Sequence, residues 1–238
     1  MFRVISQLKK NSKLTKSLIF WKTFKTKKKS FLHKIVTGDE KWIYYDNPVN
    51  HKQWLDPDQP PLFTPKREIH VKKVMLCVWW DQKGIIYYEL LEPKQTVNAS
   101  LYSQQLTRLS EALQKKRPFS CNGKQKVILL HDNARPHVAK TTRERIENLG
   151  WEVLPHAAYS PDLAPSDYHL FRSMQHFFQE KIYTEVESIK KDLDSYFSSR
   201  PESFYKRGIQ SLPERWEKVI PNDGNYFDDW YFLYCFYD

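Results

Sequence analysis

The sequence predicts an α/β fold: a mixed β-sheet flanked by helices, with a helical C-terminal part. Three observations carry that reading. Two β-rich runs, Val74–Trp80 and Ile85–Leu91, stand on either side of a short polar turn. Beyond them, helical spacings alternate with short apolar runs as far as Leu154. From Ser166 to about Lys218 helical patterns dominate. The 238 residues suffice for one well-buried domain of about 200 residues with extensions. With 40% apolar and 28% charged residues, most of the chain has the means to fold.

Taken in order, the chain opens with charge. Residues 1–34 hold 11 of the 38 Lys and Arg and none of the 28 acids, leaving 27 bases against 28 acids in the rest. The net charge of +10 therefore sits in a leading arm, with a run at Lys25, Lys27, Lys28 and Lys29. Such an arm attracts phosphate backbone or serves as a nuclear import signal. Residues 1–30 are expected to form a solvated, disordered basic arm. Lys41–Tyr45 is rich in β-formers and stops at the turn Asp46-Asn47-Pro48. Residues 46–70 are polar and proline-dotted without periodicity, and a loop of that length inside a domain is usually functional. The runs Val74–Trp80 and Ile85–Leu91 form a hairpin around the four-residue turn Asp81-Gln82-Lys83-Gly84. Asn98–Lys116 places Leu101, Leu106, Leu109 and Leu113 along one helical face. Val127–Leu130 is a short apolar strand of the kind buried on both faces. Val138–Leu149 is helical and ends at the cap signal Gly150. Trp151–Leu154 is a further strand, followed by a proline-rich loop from Pro155 to Pro165. Three antiparallel strands leading into alternating helix and strand give the order β-β-β-α-β-α-β-α. That order is the topology of the ribonuclease-H-like fold.

Composition excludes several classes. Apolar runs are short, seven residues in Val74–Trp80, against the roughly 18 a membrane span needs. No membrane partner is expected, and the N-terminus has no signal-peptide pattern. Six glycines against 14 prolines argue against a Gly-rich nucleotide-binding fold. Cys77, Cys121 and Cys235 are widely spaced with no CxxC pair, so reduced thiols are expected and a structural zinc site is not.

Most acids lie in helical surface patterns, as Glu144, Glu147 and Asp192 do. Three aspartates differ. Asp39 precedes the first expected strand, Asp132 follows the buried strand, and Asp167 opens a helix. In the expected fold the first and fourth strands are central neighbours, and a later helix brings its N-terminus to their ends. The three carboxylates then converge. Together they repel and require a cation, and hard oxygen donors without cysteine select Mg²⁺ or Mn²⁺ over zinc. His131 and His137 flank Asp132, but their spacing suits no single helix or strand face, so neither is expected to bind metal. His169 is read as a packing or hydrogen-bonding residue.

The words around these aspartates carry a resemblance. Val36-Thr37-Gly38-Asp39-Glu40-Lys41-Trp42, His131-Asp132-Asn133-Ala134-Arg135-Pro136-His137 and Tyr159-Ser160-Pro161-Asp162-Leu163-Ala164-Pro165-Ser166-Asp167-Tyr168-His169-Leu170-Phe171 together resemble the mariner transposases, the Mos1-type subfamily in particular. The 34 residues between Asp132 and Asp167 match the spacing that marks mariner elements within the Tc1/mariner group. Leu76–Gln82, Tyr87–Leu91 and Leu212–Lys218 match as well, and the likeness covers roughly residues 30–228. It implies a ribonuclease-H-like catalytic domain for DNA cleavage and strand transfer into a TA target. It assigns Asp39, Asp132 and Asp167 as catalytic residues and as ligands of two Mg²⁺ or Mn²⁺ ions. By the same analogy the partners are DNA (element ends and TA target) and a second copy in a homodimer, reached by the loop 46–70. The location implied is the nucleus.

A complete family member carries two N-terminal helix-turn-helix modules, whereas only about 30 residues precede the matching stretch. Residues 229–238 also lie beyond the usual family end. The expected organisation is therefore an arm at 1–30, a catalytic domain at 31–228 and a non-family tail at 229–238. A catalytic fragment without its DNA-reading modules is the leading reading. A catalytically silent, sequence-nonspecific DNA-binding remnant and a domesticated domain of a fusion protein are the alternatives.

Overall fold

The protein is described from a computed structural model covering residues 2–26, 31–47, 71–118 and 126–225. Helix α1 (Phe2–Thr26) leads into β1 (Ile35–Tyr44), β2 (Lys73–Asp81) and β3 (Gly84–Leu90). Helix α2 (Ala99–Lys116) follows, then β4 (Ile128–Leu130), α3 (Arg135–Val138), α4 (Lys140–Asn148) and β5 (Glu152–Val153). A π-helical turn, Ser166–Phe171, runs into α5 (Arg172–Phe178), and α6 (Val186–Ser199), α7 (Glu202–Gln210) and α8 (Leu212–Val219) complete the order. The sheet runs β3-β2-β1-β4-β5. β1 pairs antiparallel with β2 and parallel with β4, as the ribonuclease-H-like topology requires.

Both faces of this sheet are covered, and period-two alternation sorts its side chains between them. Ile35, Ile43, Val74, Leu76, Val78, Trp80, Ile128 and Leu130 enter the larger core, beneath the C-terminal helices. Val36, Cys77, Trp79 and Leu129 enter the smaller one, beneath α2 and α4. Helix α2 starts where Asn98 caps it, its side chain accepting from the Leu101 amide at 2.9 Å. Its buried Tyr102, Leu106, Leu109 and Leu113 recur at helical spacing and close the smaller core.

Several elements differ from the sequence reading. The first strand begins at Ile35, six residues before the expected start, so Asp39 lies within it. Gly, Asp and Glu are poor strand formers, but the ladder with β2, which pairs Gly38, Asp39 and Glu40 with Trp79, Val78 and Cys77, overrides that preference. The hairpin loop is two residues, with Asp81 paired to Gly84 and φ of +128° at that glycine. Asp81 closes it by accepting from the Lys83 amide and from Arg117 at 2.8 and 2.9 Å.

The expectation of a disordered arm is also corrected, since Phe2–Thr26 is one helix. Its Lys13, Leu14 and Ser17 share a face at spacings of three and four, and that face packs along α8. The alternation of Lys with apolar residues concealed this helical period. The basic run at Lys27–Lys29, the loop residues 48–70 and the tail 229–238 lie outside the described residues. No described helix is long and apolar enough to cross a membrane.

Gly38 sits opposite Trp79 across the β1–β2 ladder, and a Cβ there would overlap the fully buried indole ring. Neither strand can retreat, because both are inside the sheet. Gly38→Ala is therefore expected to lower stability by roughly 1–3 kcal/mol, the usual cost of overpacking. Urea unfolding of the two proteins measures the difference.

Candidate active site

Asp39, Asp132 and Asp167 line one cavity of 370 Å³, together with the wall Ala157–Pro161 and the rim residue Arg135. Three different backbone elements bring them there. Asp39 shares a strand face with Ile35 and Ile43, and so looks toward the layer that contains the Asp167 turn. Asp132 follows β4, the parallel neighbour of β1, by two residues. Asp167 stands in the first turn of the π-helical segment, whose entry is set by Trp80 Nε1 donating to Ser166 Oγ at 3.1 Å. π-Helical turns of this kind recur at functional sites.

Electrostatics mark the place. Burial, followed by the negative charges of Asp167, Glu40 and Asp132, pushes the Asp39 carboxyl well above the ordinary carboxylate range. Lys41, two residues along the same face, is driven down by burial and held up in part by Asp167 and Asp39. This acid excess suits a divalent cation, and the oxygen donors fit Mg²⁺ or Mn²⁺. Among the described residues no three His, Cys, Asp or Glu side chains close into a ready-made metal cluster. Uncompensated carboxylates repel, and Asp132 is engaged elsewhere.

That engagement is with His137. Its Nδ1 lies 2.6 Å from Asp132 Oδ1 and its Nε2 lies 3.3 Å from Glu40 Oε1. Burial alone would lower His137, but hydrogen bonds to Asp132 and Glu40 and their charges lift it to about 9. Asp132 is likewise raised by burial, yet His137 and the Ala134 amide hold it below the usual range. His131 stacks on His137 with ring centres 5.1 Å apart and meets the Tyr102 hydroxyl at 2.9 Å. Burial and the His137 charge depress His131 to about 3. The sequence reading left both histidines without a role at the site, because it tested them only as metal ligands. The signal available was the five-residue step from Asp132 to His137 across Pro136, which turns the chain back on itself. His169 packs on Phe204, with ring centres 4.2 Å apart, and its Nε2 lies 2.8 Å from the Phe204 carbonyl oxygen, which is a packing and hydrogen-bonding role.

Comparison with known proteins decides the family. Residues 44–122 match the family model "Transposase (partial DDE domain)". The chain is 55% identical over 202 residues to the Mariner Mos1 transposase of Drosophila mauritiana, covering 85% of this chain and 59% of that protein. It superposes on the Mos1 transposase catalytic domain, solved with raltegravir and Mg, at a TM-score of 0.80 and 50% identity, over 92% of this chain and 97% of that one. The chain belongs to the mariner transposases. A pre-cleavage Mos1 transpososome gives a TM-score of 0.84 at 52% identity, covering 93% of this chain and 64% of that one. Human histone-lysine N-methyltransferase SETMAR is 42% identical over 198 residues, 83% of this chain and 29% of that protein. This mariner chain thus spans less than two thirds of these curated relatives, whereas it covers almost the whole of the solved Mos1 catalytic domain.

The histidines predict how stability depends on pH in metal-free buffer. His131 and His156 are buried, with folded pKa values of about 3 and about 4 against 6.5 when unfolded. The unfolded chain takes up those protons first, so stability falls as pH drops from 6.5 toward 4, by up to about 1.4 kcal/mol per pH unit for each ring. His137 acts in the opposite sense. Its contribution is complete below pH 6.5 and disappears as pH rises through about 9. Denaturant unfolding from pH 4 to 9 is expected to show a loss of stability toward pH 4 and a decline above pH 6.5 that is smaller in His137→Gln but not abolished, because ionising the raised Asp39 carboxyl costs stability in the same direction.

Proposed function

We propose that this mariner domain cleaves and rejoins DNA strands with the help of divalent cations. The observation that carries the reading is the convergence of Asp39, Asp132 and Asp167 on one cavity from three separate elements. These three residues would hold two divalent ions, and Mos1 complexes solved with Mg and with Mn support Mg²⁺ or Mn²⁺ as the metal. When bound, such ions lower the pKa of a water or a DNA 3′-hydroxyl and neutralise the oxygen that leaves in an in-line displacement.

The chain's own residues prepare that chemistry. Asp39 stays placed because its Oδ1 accepts from the Glu40 amide at 2.8 Å and its strand is paired on both sides. His137 keeps Asp132 oriented and ionised. Arg135 at the rim offers a positive charge to a backbone phosphate entering beside the small side chains of Ala157 and Ala158. The substrate class is duplex DNA, with element ends for cleavage and a TA dinucleotide for joining, a nuclear reaction. Paired-end and strand-transfer complexes of Mos1 support work on two ends at once, and hence a homodimer.

Incubating the purified chain with supercoiled plasmid and Mn²⁺ tests the reading. Nicking is expected, abolished by EDTA and reduced at least ~100-fold in Asp132→Asn, with the circular dichroism spectrum unchanged. Duplex binding without any metal-dependent nicking would instead support a non-enzymatic DNA-binding role.

A further inference from the structure

Helix α1 holds the wall of the cavity at two points. Lys13 Nζ donates to Asp162 Oδ2 at 2.6 Å, and Lys16 Nζ donates to the His156 carbonyl at 2.8 Å. Three residues apart on a helix, these lysines lie on one face. Between their two anchor points runs the segment Ala157–Pro161, which lines the cavity. Each anchor also touches the support of one carboxylate. The His156 carbonyl accepts from Asn133 Nδ2 at 2.9 Å, beside Asp132. The Asp162 carbonyl accepts from Arg215 Nη1 at 3.0 Å, and that guanidinium lies 3.7 Å over the Tyr168 ring, beside Asp167.

The Lys13–Asp162 pair is poorly suited to be a stability device. Both side chains are almost wholly withdrawn from water, at 5% and 0% exposure. Burial works against both charges, pulling the amine down and the carboxyl up, while each partner favours the other's ionised form. Asp162 Oδ1 has no hydrogen-bond partner among the described residues. Ion pairs this dry gain little over well-packed apolar side chains of similar volume, and what they supply is a defined geometry.

We propose that Lys13 and Asp162 form a positioning pair that sets where Asp167 stands relative to Asp132, making α1 part of the support of the divalent-cation site. This rests on the reading of the three aspartates as the cation ligands. The pair touches neither substrate nor cation; it acts through the 156–162 segment and the Arg215–Tyr168 stack.

Calorimetric titration with Mn²⁺, without DNA, tests the proposal on the purified chain and four variants. Asp132→Asn tests the ligand assignment, Lys13→Met breaks the pair, Lys13→Arg retains it, and Lys13→Met/Asp162→Leu replaces it with apolar packing. The double variant is expected to keep wild-type thermal stability and yet bind Mn²⁺ about tenfold more weakly, the scale typical of residues that orient metal ligands. Lys13→Arg is expected to retain wild-type affinity. In the nicking assay the double variant loses kcat with KM for plasmid unchanged. Wild-type Mn²⁺ affinity in the double variant, with Asp132→Asn defective, would overturn the positioning role and leave the ligand assignment standing. Undiminished binding in Asp132→Asn would overturn the assignment itself, and the pair's proposed role with it. Should Lys13→Met fail to fold, the double variant and Lys13→Arg still decide the matter.

Discussion

A carboxylate in the interior of a central β-strand has no easy way to reach water, and Asp39 is such a group. Its strand is bonded to β2 on one side and β4 on the other, so the backbone cannot swing it out to water. The face it occupies is that of the larger core, and the two other aspartates are delivered to the same place. Burial and three neighbouring negative charges then hold its proton on beyond the ordinary range. Much of the surrounding structure follows from this constraint. The parallel β1–β4 pairing sets where Asp132 emerges, and the layer packed over the sheet brings in the Asp167 turn. A divalent cation bound there would offset the repulsion that this arrangement creates.

The strand also couples the two faces of the sheet. Asp39 points one way and its neighbour Glu40 the other, toward the smaller core, where His137 joins Glu40 to Asp132. One histidine thereby ties β1 to the turn after β4 from the side opposite the cavity. The His131 and Tyr102 rings pack around it, so the α2 layer participates in holding Asp132. On the cavity side the corresponding restraint comes from α1, through the segment Ala157–Pro161. Asp132 is thus held from behind by a histidine that does not line the cavity, while the wall on the cavity side is held by α1.

Most of the strand and helix order was legible because the patterns are strong and local: apolar runs in β2 and β3, leucine spacing in α2, Gly150 after α4. The three aspartates were legible through the words around them, which resemble a known family more specifically than any acid spacing could. Asp39 was misplaced relative to its strand because Gly-Asp-Glu has little intrinsic β preference, and only the long-range ladder with β2 makes it extended. Helix α1 was read as an arm because its lysines dominate the composition. The contacts that fold it lie with Asp162 and His156, some 140 residues away or more. The His137 bridge was hidden for a similar reason, since Glu40 lies 97 residues upstream of it. Long-range pairing leaves no local periodicity to read.

Asp39 holds its proton because burial and like charges crowd it, and a cation bound beside it would release that proton. Carboxyl carbon-13 NMR of aspartate-labelled protein, titrated in pH with and without Mg²⁺, observes this directly, with Asp39→Asn giving the assignment. The predicted result is an Asp39 titration above the ordinary carboxylate range in metal-free buffer, moving down when Mg²⁺ is added. An Asp39 resonance that titrates in the ordinary range and ignores Mg²⁺ would contradict both the crowding of the three carboxylates and their role as cation ligands.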